Sequence, residues 1–128
     1  MNISIRELIE LAEATPCLPE KESLMRRCDQ GVLKDILEDA NDESRDYGRW
    51  NSTELIRAFG HPGSGDYCLD QDYGVFHTVL RDLARVEGSQ KEFYGQVLWC
   101  CIGTYQREDR EILMRILDRG LKIGYAGI

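Results

Sequence analysis

No stretch of the chain approaches the roughly 20 apolar residues that a membrane-spanning helix needs, so a membrane protein is not expected. The opening Met-Asn-Ile-Ser-Ile-Arg-Glu-Leu lacks a basic patch followed by an apolar core, and no signal peptide is expected. The cysteines number five, at 17, 28, 68, 100 and 101, and none forms a Cys-x-x-Cys pair. An odd, unpatterned set argues against a disulfide framework and places the chain in the reducing cytoplasm. Lysine is scarce, with four residues against twelve arginines, and the balance of 16 basic and 23 acidic side chains gives a net charge of −7. Direct binding to nucleic acid or to an anionic membrane needs a basic surface, which this balance opposes. With only two histidines, metal sites and His-dependent catalysis have few candidate residues.

What is present is ordinary for a globular protein: 42% apolar and 30% charged residues in 128 positions. That length predicts a single domain, residues 1–128. The most continuously apolar stretch is Gly95–Gly103, inside a helix expected over about 90–104. A helix apolar on most faces is covered on most faces, so the fold class expected is all-α, with six or seven short helices packed around this central one. Ser4 and Glu7 form a capping box for a first helix with Ile5, Leu8, Ile9 and Ala12 on one face. Further helices are expected over 19–28, over 32–40 and through Leu55–Phe59 behind a cap at Asn51 or Ser52. Two more follow over 73–87 and 108–119, the last ending at Gly120, and Ser89 with Glu92 is a second capping box. An extended piece fits best in the tail, 121–128.

The chemistry-bearing residues crowd into the Gly-rich loop at 60–74 and just beyond it. It fails as a phosphate loop, because Asp66 stands where the pattern requires lysine. As a calcium loop starting at Asp70 it also fails, with Val75 at the glycine position and Arg81 at the bidentate glutamate position. His61, Cys68 and His77 are of the types zinc accepts, and a metal-assisted hydrolase built on them is one alternative reading, although their spacing matches no motif. No cofactor is expected. A helix-turn-helix over 19–40 is disfavoured, since its second helix offers one lysine against three acids.

The acidic stretch is the preferred site. Asp35, Glu38, Asp39, Asp42, Glu43 and Asp46 are opposed within it only by Arg45, and Tyr47, Arg49 and Trp50 follow. Glu38 and Asp39 fall at a helix C-terminus, where carboxylates oppose the macrodipole. Tyrosine, tryptophan and arginine are the types enriched at binding hot spots. These nine residues are expected to bind a basic protein partner, such as a nucleic-acid-binding complex or a toxin, and to inhibit or occlude it. Small inhibitory proteins of phages and mobile elements share this size and acidity, an analogy of type alone. A further alternative is an oligomeric subunit or assembly factor whose surface is supplied by Tyr67, Tyr73, Phe93, Tyr94 and Tyr105.

Overall fold

Helix α1, Ile5–Ala14, turns the face predicted from its spacing inward: Ile5, Leu8, Ile9 and Ala12 are buried. The computed structural model describes residues 4–14, 30–63 and 65–121. The helix expected at 19–28, and with it the helix-turn-helix reading, lies outside the described residues, as does nearly all of the tail. Ser4 Oγ accepts from the Glu7 amide at 3.2 Å, so the first cap forms as its sequence implies. Helix α2 is Gln30–Asn41 and α3 is Ser52–Phe59, capped by Asn51 through the Glu54 amide at 2.8 Å. Helix α4 is Leu69–Arg85, α5 is Ser89–Ile102 and α6 is Arg107–Leu117. Helix α4 begins four residues earlier than its apolar spacing indicates, because a kink at Asp72 (φ −147°, ψ 30°) joins two helical pieces.

The chain is all-α, with no strand among the described residues. A lone parallel bridge, Tyr67 to Tyr105, stitches the 60–68 loop to the turn between α5 and α6. Helices α4 and α5 form the most extensive pairing; α1 and α2 each pack on α4 and α6, and α3 rests on α5 and α6. One apolar cluster joins them all, with Leu33, Leu55, Phe76, Leu80, Leu98, Ile102 and Leu113 fully buried. Helix α5 contacts α3, α4 and α6. One face stays in solvent, because Phe93, Gln96 and Cys100 recur at i, i+3 and i+7 and are exposed.

Two close approaches lock α5 to its neighbours. Gly95 lets the Trp50 indole lie against the helix backbone, and a Cβ there would come closer than 3.0 Å to three ring atoms. The ring is held by its Nε1–H, which donates to Lys91 O at 2.7 Å, and by stacking on Phe59 at 5.6 Å. Phe59 in turn meets Trp99, also at 5.6 Å. Chain ends of the helices are finished less locally than predicted. Ser89 does not cap α5; Gly88 holds that position, and Glu92 pairs instead with Arg49 at 3.0 Å. At the end of α6 the left-handed residue is Arg119 (φ 56°), not Gly120.

Three helix starts take their acceptor from a distant aspartate. The Ile5 amide donates to Asp70 Oδ1 at 3.1 Å, the Leu69 amide to Asp109 Oδ2 at 3.0 Å and the Ser52 amide to Asp118 Oδ1 at 2.7 Å. Each carboxylate satisfies an amide that has no partner within its own helix and sits at the positive end of the helix dipole. Asp109 is itself buried and also faces Arg6 at 3.3 Å. The acidic composition is therefore partly structural.

Candidate functional site

Asp35, Glu38, Asp39 and Asp42 recur at i, i+3, i+4 and i+7, the spacing of one helix face. On α4, Tyr73 and His77 are four residues apart and meet that face. Asp39 is fully buried between the two helices. Its carboxylate accepts from the Tyr73 hydroxyl at 2.6 Å, contacts His77 Nδ1 at 2.7 Å and is paired with Arg45. A buried carboxylate is tolerated when each of its oxygens is hydrogen-bonded and its charge is matched, and both conditions hold here.

Arg45 is the keystone of this seam. Only 9% of its side chain is exposed, and it reaches back from the loop to Glu38 at 2.7 Å, to Asp39 and to Asp42 at 3.4 Å. A guanidinium over the last turn of α2 offsets the unfavourable placement of Glu38 and Asp39 at the negative end of the helix. Burial works against the Arg45 cation, but the Tyr47 and Asp39 oxygens beside it outweigh that and hold it more firmly protonated than usual. From the end of α6, Arg119 closes the arrangement, donating to Arg45 O at 2.7 Å and lying 4.8 Å over the Tyr47 ring.

Of the nine residues expected at a partner surface, three are not there. Asp39 is buried, and Tyr47 and Trp50 are buried core residues at 4% exposure each. Large aromatics that anchor interfaces fill cores for the same reason, their apolar area, and here the fold itself uses them. Asp35, Glu38, Asp42, Glu43 and Asp46 keep partial or full exposure. The Ser44 hydroxyl and amide hydrogen-bond Asp42 and hold its carboxyl below the usual range. Asp46 accepts from the Gly48 amide at 2.8 Å. Arg49 is exposed, lies 4.2 Å over Trp50 and pairs with Glu54 and Glu92.

Between α2 and the end of α4 runs a polar groove of about 300 Å³ lined by Glu38, Asp42, Ser44, Arg45, Arg81, Ala84 and Arg85. Arg81 and Arg85 share a face of α4 at i and i+4, so the acidic wall of α2 looks across at two arginines. The seam carries alternating charge rather than one sign.

His61, Cys68 and His77 do not converge. Cys68 is the residue before α4 and His77 lies nine residues along it, about 13 Å at the helical rise. His61 is placed against α6, beside Arg107 and Arg110. No three His, Cys, Asp or Glu side chains among the described residues are grouped to hold a metal ion. The metal-assisted reading therefore lacks its ligand set. His77 has an orienting carboxylate in Asp39, but its Nε2 faces Asp35 Oδ1 at 3.8 Å instead of a hydroxyl or thiol nucleophile. In the oligomer reading, Tyr73 and Tyr105 are buried within the fold, whereas Tyr67 and Phe93 are exposed.

Sequence reasoning missed the Asp39–His77–Tyr73–Arg45 cluster as a unit. One signal was available: carboxylates against a helix dipole ask for a cation, and Arg45 was the only basic residue in the stretch. The burial of Tyr73, and of Tyr47 and Tyr105 in the same core, has a consequence at high pH. Burial raises all three phenols, and the charge of Asp39 raises Tyr73 further; burial also pushes the Cys101 thiol up to about 11. Each of these groups is neutral when protonated and has a higher value folded than unfolded. Their contribution to stability is therefore fully present below the unfolded values and lost as pH rises through 9.0 and 10.0 toward the folded ones. On alkaline titration, phenolate absorbance from these three rings is expected to rise together with loss of the helical circular dichroism signal. Complete tyrosine ionisation with helix intact would contradict this.

Compared with known protein families, with curated proteins and with solved structures, the chain matches none.

Proposed function

We propose that the chain is a small interaction module that binds a basic protein partner along the α2 seam. The surface for this is the exposed subset Asp35, Glu38, Asp42, Glu43 and Asp46, with Arg49 at its end. The observation that supports the reading is the anchoring of this stretch: Arg45, Asp39 and Arg119 pin the end of α2 and the loop after it. Charged groups held in place lose less freedom on association than charged groups on a loose tail. Net charge of −7 favours fast encounter with a cationic surface, more than it sets final affinity.

Arg81 and Arg85 narrow the choice of partner. A uniformly basic surface would be repelled where it crosses the groove, so the partner carries an acidic group opposite α4 among its basic ones. Partners of this kind include nucleic-acid-binding complexes and toxins, and the cytoplasm is the compartment this reading assumes.

Glu38→Lys with Glu43→Lys tests it, because both side chains are exposed and, among the described residues, only Glu38 of the two has an ion pair, with Arg45. Affinity capture from the native host identifies the bound protein, and its association rate is then measured with wild type and variant at low and high salt. The expected result is a rate that falls with salt for the wild type and is about tenfold or more lower in the variant. A rate that responds to neither salt nor the substitutions removes the proposal.

A further inference from the structure

In a protein this acidic, the cleft against α6 is lined by more basic than acidic side chains. It has a volume of about 350 Å³ and lies between α3, the 61–62 turn and α6, lined by Ile56, His61, Pro62, Arg107, Arg110, Glu111 and Met114. That size is within the range of small-molecule sites. Ile56, Pro62 and Met114 form its apolar wall. Arg107 and Arg110 are opposed in the lining by the single carboxylate of Glu111.

The two arginines are prepared differently. Arg110 is fixed: its Nη1 donates to Pro62 O at 2.6 Å and to Gly63 O, so neutral carbonyls position the guanidinium without cancelling its charge. Its Nε–H is buried and has no acceptor among the described residues. Arg107 is exposed at the first position of α6, where the helix dipole adds partial positive charge and Gln106 provides no side-chain cap. His61, also exposed, supplies a further ring nitrogen at the mouth.

We propose that this cleft binds a small organic acid, with its carboxylate on Arg107, Arg110 and His61 and a short apolar body against Ile56, Pro62 and Met114. A planar carboxylate matches the guanidinium fork, and the apolar wall gives a preference for acids carrying a ring or branched chain over simple inorganic anions. The site does not depend on the α2 seam or on its partner.

The test is an amide NMR titration of the full chain with benzoate, with benzylamine as a probe of the same body and opposite charge. Benzoate is expected to shift the amides of 56, 61, 107, 110, 111 and 114 in a saturable way, and benzylamine is not. Arg107→Ala removes an exposed side chain and is expected to leave the remaining spectrum in place while weakening benzoate by about tenfold. Absence of localised shifts with benzoate, equal shifts with benzylamine, or unchanged benzoate affinity in Arg107→Ala overturns the assignment.

Discussion

Asp39→Ala will cost the fold about 3–5 kcal/mol, the range seen when one partner of a buried ion pair is removed and the other is left behind. The reason is the number of groups that lose their acceptor together. Arg45 stays largely buried, the Tyr73 hydroxyl loses its acceptor, and His77 loses the carboxylate at its Nδ1. Asp39→Asn is expected to be milder, since its amide oxygen still accepts and its shape is the same, although an NH2 group then faces Arg45 or His77. Glu43→Ala, an exposed neighbour, should fall within about 0.5 kcal/mol of wild type. Urea unfolding of the three variants measures the differences. If Asp39→Ala costs no more than Glu43→Ala, Asp39 is not the centre of the seam.

Gly95→Ala and Gly74→Ala will change stability in opposite directions, although both replace a glycine inside a helix. Alanine gains about 1 kcal/mol over glycine from helix propensity alone. At Gly74 a Cβ meets nothing within 4 Å, so that gain is realised. At Gly95 the added carbon overlaps the Trp50 ring, and the ring has nowhere to go. Arg49 covers it, Phe59 stacks on it and Lys91 O holds its Nε1–H. Overpacking costs about 1–3 kcal/mol and a lost hydrogen bond about 1 more, so Gly95→Ala is expected to be destabilising by about 1–3 kcal/mol after the propensity gain. Thermal unfolding followed by tryptophan fluorescence reads both the stability and the displaced ring. A Gly95→Ala protein as stable as Gly74→Ala would mean that Trp50 does not pack on α5.

These two sites also mark where the sequence was legible and where it was not. The inward faces of α1 and α6 follow from apolar spacing, because a helix with one apolar stripe has one way to bury it. Ser4 and Asn51 were readable as caps because the amides they satisfy lie three residues away. Gly95 and Trp50 were each visible, but not as a pair, since 45 positions separate them and only tertiary packing joins them. The acidic stretch reads as a surface because six carboxylates in twelve positions normally face water. Asp39 is the exception, and its burial depends on Tyr73 and His77 from another helix. Tyr47 and Trp50 illustrate an ambiguity of composition: apolar area and a polar tip suit a core and an interface equally.

The aspartates that complete the starts of α1, α4 and α3 lie 65, 40 and 66 residues further along the chain than the amides they receive. Translation proceeds from the amino end, so each of these helix starts is synthesised before the group that finishes it. The start of α1 waits for Asp70, and those of α4 and α3 wait for Asp109 and Asp118. A chain stalled before Asp109 would leave the starts of α3 and α4 without these acceptors, whereas the start of α1 would already have Asp70.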